Sequence, residues 1–155
     1  MGTGVPRRSI LAVLGLLAWI ACTPHADLLV EHQKAEARWQ EQRSADYRFL
    51  FKRVCECPEE YLREVWISVS GEATVDVTFA DDQSQVPREL WADFPTVDGM
   101  FGKIRGAAQA HADEIRVDYD PDAGYPLSIF IDLDENMADE ETIWYARDLQ
   151  RLAGD

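Results

Sequence analysis

Three groups of residues have the types and spacing that chemistry requires. Cys55-Glu56-Cys57 puts two thiols at positions i and i+2. In an extended chain their Cα atoms lie about 6.6 Å apart, the upper edge of what a disulfide can bridge. Closing the bond needs a kink, for which Pro58 and the out-of-register Arg53 give the opportunity. A structural disulfide is the first expectation, a buried reduced pair the second, and a metal-thiolate or redox pair the third. The last ranks lowest because Glu56, Glu59 and Glu60 favour the thiol over the reactive thiolate. The segment Asp118-Tyr119-Asp120-Pro121-Asp122-Ala123-Gly124 gathers carboxylates on a turn, as a calcium loop does. Its glycine falls one place late for an EF-hand, and Ile129 stands where the bidentate Glu belongs. The expectation is therefore a solvated turn whose Asp side chains cap its own backbone, with weak calcium binding, aided by Asp132, Asp134 and Glu135, as the alternative. Histidine is scarce, and a zinc site or Ser/His/Asp triad would have to use His111, since His25 and His32 lie near the start of the chain. Packing, or a contact with the negative end of a helix, is the simpler role for His111. No G-x-S-x-G, Walker or G-x-G-x-x-G pattern occurs, so no catalytic residue, metal ligand or cofactor is assigned.

The elements that would position these residues follow from periodicity. Residues 94–134 combine an amphipathic helix with two alternating strands. Val97, Met100, Phe101, Ile104, Ala108 and His111 form one stripe at helical period. Thr96 is the expected N-cap, and Asp98 puts negative charge in the first turn. The period then changes to two, with Ile115, Val117 and Tyr119 on one face of a strand and Leu127, Ile129 and Ile131 on one face of the next. Upstream, residues 28–42 are rich in helix formers with a thin apolar stripe, Leu29, His32, Ala35 and Trp39, so a largely solvated helix docked by Trp39 is predicted. Tyr47, Phe49 and Phe51 then alternate with Arg48, Leu50 and Lys52, a strand with one aromatic face. Val65, Ile67 and Val69 form a second strand, Gly71 marks a turn, and Ala73, Val75, Val77 and Phe79 form a third, a meander with one buried face. Residues 80–93 lack a period and read as loop with a helical turn near residues 88–92. Residues 142–152 suit helix by charge placement and strand by the alternation of Ile143, Tyr145 and Arg147.

The chain begins with a segment of another kind. Arg7 and Arg8 precede an uncharged run over residues 10–21 and then Cys22, the three-part layout of a secretory signal. The run is too short to span a bilayer. Ile20-Ala21-Cys22 resembles the end of a bacterial lipobox, with Trp19 in the place usually held by Leu. Cys22 is accordingly the expected lipid anchor, and acyl chains at about 0.8 kcal/mol per buried methylene would hold it to a membrane surface. The predicted organisation is a signal peptide over 1–21, a lipid-anchored tether over 22–27 and one domain over 28–155. That domain would lie outside the cytoplasm, where disulfides persist.

Composition limits the function. A 46% hydrophobic share supports a packed core, and the formal charge is -14 over 155 residues. Loss of Arg7 and Arg8 with the leader makes the remainder more acidic still. Such a body repels phosphate backbones, so nucleic-acid binding is excluded as an expectation.

Taken in order, Trp39, Asp46-Tyr47-Arg48-Phe49, Cys55-Glu56-Cys57-Pro58, residues 95–101, Val117-Asp118-Tyr119-Asp120, Gly124-Tyr125-Pro126 and Asp139-Glu140-Glu141 resemble a family of bacterial lipoproteins known as domain of unknown function 6174. The resemblance covers residues 39–152. It implies envelope location, a lipid anchor and a paired-cysteine motif, carries no catalytic residues, and favours strand for residues 143–149. The expected fold is α+β in two layers: an antiparallel sheet of five to six strands packed by one amphipathic helix, with an N-terminal helix. The expected function is a non-enzymatic, lipid-anchored envelope protein, facing the periplasm or exterior, that binds or supports an envelope protein or ligand. The alternative is a thiol-redox or metal-binding protein using Cys55 and Cys57.

Overall fold

The computed structural model describes Met1, residues 26–137 and residues 140–152. Helix α1, Ala26–Gln42, turns His32, Ala35 and Trp39 inward and leaves most other positions to solvent. Ser44 and Asp46 then end the helical run, and the chain enters strand β1, Asp46–Val54. A single helical turn, α2 (Glu59–Leu62), leads to β2, Val65–Ser70, and β3, Ala73–Phe79. A 3₁₀ turn over Arg88–Asp93 fills the stretch without a period. It precedes α3, Val97–Gln109, and the strands β4 (Glu114–Tyr119), β5 (Pro126–Asp132) and β6 (Thr142–Arg151).

All six strands join one antiparallel sheet in the order β3-β2-β1-β6-β5-β4. The first and last strands therefore form its centre, with Phe51 opposite Ala146 and Lys52 opposite Tyr145. The class is α+β, as the change of period predicts, and the final segment is strand. Helices α1 and α3 lie on one face and share a core with Tyr47, Phe49, Phe51, Val65, Ile67, Val77, Ile129 and Ile131. Met100, Phe101 and Ile104 are fully buried in it, each contributing about 1.5–3 kcal/mol by leaving water.

Local chemistry explains the joints. The Thr96 hydroxyl accepts from the Gly99 N–H at 3.0 Å, capping α3 as predicted. The Val97 N–H, another donor without a partner inside the helix, reaches the Tyr47 hydroxyl at 3.3 Å. Gln40 and Arg43, at the end of α1, donate to Asp98 at 2.7 and 2.9 Å and tie the two helices together. In the β4–β5 turn the Asp120 carboxylate accepts from the N–H groups of Asp122 and Ala123 at 3.0 and 2.6 Å, the self-capped turn expected from its composition.

Two expectations need correction. Val75 does not share the buried face of Val77 and Phe79, because a register shift in the β2–β3 pairing after Ser68 leaves it exposed. His111 is not the last residue of the buried α3 stripe. It follows the helix at φ +59° and stands in solvent. Its N–H and that of Ala112 return to the carbonyls of Ala108 and Ala107 at 3.3 and 3.1 Å, closing the helix in a Schellman arrangement.

Candidate functional site

The cysteine pair sits where β1 leaves the sheet. Beyond Val54 the chain bends, bringing the Cα atoms of Cys55 and Cys57 to 5.3 Å, within disulfide range. The bend supplies the kink that the spacing demands. Arg53 holds this corner in place. Its register opposite Trp144 puts it on the covered side of the sheet, where its guanidinium lies 5.6, 5.3 and 5.1 Å from the ring centres of Phe51, Tyr61 and Phe94. Burial pushes this guanidinium below its ordinary value, opposed by Asp93. One of its N–H groups donates to the Asp93 carbonyl, and the Tyr61 hydroxyl donates to the Asp93 carboxylate at 2.9 Å. Residues 53–61 are thereby fastened to the segment ahead of α3. Both cysteines are half-buried, and Cys55 lines a shallow cleft of about 240 Å³ with Val54, Glu56, Glu141 and Ile143. The charged residues of that cleft are acidic, a setting that does not stabilise a thiolate.

The other candidates are dispersed. Cys22, the expected lipid anchor, and His25 lie outside the described residues. No three His, Cys, Asp or Glu side chains gather to hold a metal ion among the described residues, and no helix among them is long and apolar enough to cross a membrane.

Opposite the helices, the second face of the sheet carries no helix of the described residues. Strand register places two rows side by side across β4, β5, β6 and β1: Arg116, Phe130, Ile143 and Val54, then Asp118, Ser128, Tyr145 and Lys52. Beyond these, Arg147, Leu50, Trp66 and Thr78 run from β6 to β3. A hollow of about 670 Å³ between the first two rows is lined in part by Arg116, Asp118, Phe130, Ile143 and Tyr145. Tyr145 and Val54 are 45% and 44% exposed, which marks this surface as uncovered. Arginine flanks the aromatics, with Arg48 4.6 Å from the ring centre of Trp66 and Arg116 4.0 Å from that of Phe130.

A family model described as a family of unknown function, DUF6174, matches residues 31–151. The chain belongs to that family. No curated protein and no solved structure matches it. The DUF6174 match runs from within α1 to the end of β6, so the family unit comprises the whole sheet, α3 and the greater part of α1.

Two features of this DUF6174 domain escape a sequence reading. The first is the outer row of aromatics. Trp66, Phe130 and Tyr145 occupy the alternate positions of their strands, where a solvated face is ordinarily polar, and that departure is the signal available in sequence. The second is the partner of His32, whose place in the apolar stripe of α1 accords with its burial but does not reveal that its Nδ1 lies 2.9 Å from the Tyr119 hydroxyl. Only tertiary packing brings those residues together.

Proposed function

We propose that this DUF6174 protein is a non-catalytic binding module of the cell envelope, exported by its leader, held on the membrane by lipid at Cys22, and engaging its partner through the bare face of the sheet. The observation behind the binding role is the placement of Phe130, Ile143, Tyr145 and Trp66 on the side of the sheet that the helices leave open. Tyr145 is exposed and Trp66, Phe130 and Ile143 are half-buried; apolar side chains left open to water side by side mark interaction sites, and a partner that covers them completes their burial. Of the neighbouring cations, Arg116 is paired with Glu114 and Arg147 with Glu64 and Asp148, which leaves Arg48 and Lys52 to offer positive charge on a chain of net charge -14, suited to a partner that the remaining surface would repel. A photo-cross-linking residue at position 145 should capture an envelope component in intact cells. The same residue on α1, at position 34, should not, and Lys52→Glu should abolish capture at 145. Equal capture from both positions would remove the face from consideration. For the anchor, Cys22→Ala should release the protein from the membrane fraction or stall leader processing, whereas unchanged fractionation and mobility would contradict it.

A second reading keeps Cys55 and Cys57 as a thiol-redox or metal-binding pair, favoured by their half-buried position beside a cleft. Thiol titration before and after reduction, with a metal assay alongside, separates the two. A permanently oxidised, metal-free pair whose double Ser variant loses only stability eliminates the redox reading.

A further inference from the structure

His32 is buried among apolar groups at 1% exposure. It reaches from α1 toward both α3 and β4, with ring centres 5.4 Å from Phe101 and 6.2 Å from Tyr119. Its Nδ1 shares a 2.9 Å hydrogen bond with the Tyr119 hydroxyl, while its Nε2 has no hydrogen-bond partner. The carboxylate facing Nε2 is that of Glu36, one turn along α1, at 3.8 Å. Glu36 is already engaged by Arg105 of α3. On the β4 side, Tyr119 lies in the field of Glu31 and Glu36. Burial holds the imidazole below its ordinary value, with Glu36 opposing this and Arg105 reinforcing it.

Helix α1 is held unevenly along its length. Its C-terminal half has Ala35 against Gly124, Trp39 against Tyr47 and Tyr125, and Gln40 and Arg43 bonded to Asp98. In its N-terminal half the fully buried side chain is His32, with Leu28 and Leu29 only partly covered.

We propose that His32 is an acid-sensitive latch, whose protonation frees the N-terminal half of α1 from α3 and β4 while the Trp39 end stays docked. Protonation makes both ring nitrogens donors, so the Tyr119 hydroxyl must serve Nδ1 as acceptor. The new charge lies in an apolar site facing Arg105, and Glu36, whose Oε1 is held by that arginine, brings its Oε2 only to 3.8 Å from Nε2, beyond hydrogen-bond reach. Water around the freed half removes the conflict. The docked imidazole binds a proton more weakly than a solvated one, so docking is favoured above the ordinary histidine value of about 6.5 and is lost as pH falls below it.

Amide hydrogen exchange of the full-length protein at pH 7.5 and 5.0, corrected for intrinsic rates, tests this. Protection of residues 27–34 should fall by up to about 30-fold at pH 5.0, the proton-linked limit for a group titrating near 6.5. Protection of α3 and β1 should stay unchanged, and His32→Phe should abolish the pH effect. His32→Gln, which also cannot take up the proton, replaces it if the Phe variant fails to fold. Equal protection at both pH values, a loss that persists without the histidine, or a loss shared by α3 and β1 would each overturn the proposal.

Discussion

Replacing Gly124 with alanine tests how closely the β4–β5 turn approaches α1. Gly124 has φ +84°, and a Cβ added there would lie 2.4 Å from the Ala35 carbonyl oxygen, 3.0 Å from the Trp39 nitrogen and 3.1 Å from the Arg38 Cβ. Two costs combine. The left-handed conformation disfavours an L side chain by about 1 kcal/mol, and an added carbon forced against rigid backbone costs about 1–3 kcal/mol. The helix cannot retreat freely, because Trp39 is locked edge-on against Tyr47 with ring centres 5.2 Å apart. The expected loss is about 3 kcal/mol, from a stability of roughly 5–15 kcal/mol for a domain of this size. Gly71 is the internal control, with φ +62° and nothing within 4 Å of where its Cβ would stand; Gly71→Ala should cost only about 1 kcal/mol. Urea unfolding of the two variants should separate their unfolding constants by about 30-fold. Equal losses would show that the turn does not press on α1 and would refute the packing described.

Gly106→Ala should stabilise the protein by about 1 kcal/mol, because the glycine lies inside α3 and a Cβ there meets nothing within 4 Å; an unchanged urea midpoint would refute this. His111→Gly should add about 1 kcal/mol in the same assay, by relieving φ +59° at the helix end, and a loss would show that the imidazole makes a needed contact. Tyr47→Phe should cost about 1–2 kcal/mol, since it strips the Val97 N–H of its acceptor; thermal melts identical to the parent would count against that bond. Replacing Cys55 and Cys57 together by serine should cost about 1.5 kcal/mol, the chain-entropy value for so short a ring, given a sequence separation of 2. A loss above about 4 kcal/mol would show that the pair supports far more than its own corner.

Local pattern makes much of the fold legible. The stripe of Val97, Met100, Phe101 and Ile104, the Thr96 cap and the Asp120 turn depend on residues close in sequence, and each stands as expected. Val75 departs from expectation because a bulge changes which residues face each other without changing the alternation of residue types. His111 departs from it because a left-handed helix end is usually glycine, and a histidine there hides the stop. The central pairing of β1 with β6 joins distant segments, and no period within either strand encodes it. For the candidate site, the spacing of Cys55 and Cys57 makes their approach visible. The bare aromatic face is not visible in the same way, because which side the helices cover is decided only once the strands are ordered.

That central pairing has a consequence for biosynthesis. Tyr47 at one end of the domain lies opposite Arg151 at the other, so the earliest strand made must wait for the latest before it gains its second neighbour. Until the ribosome has delivered residues 142–151, β1 and β5 are open edges, and long-range closure of this kind is slow. A chain cut before residue 142 would therefore hold two separate half-sheets, β3-β2-β1 and β5-β4, with nothing between them to close the fold.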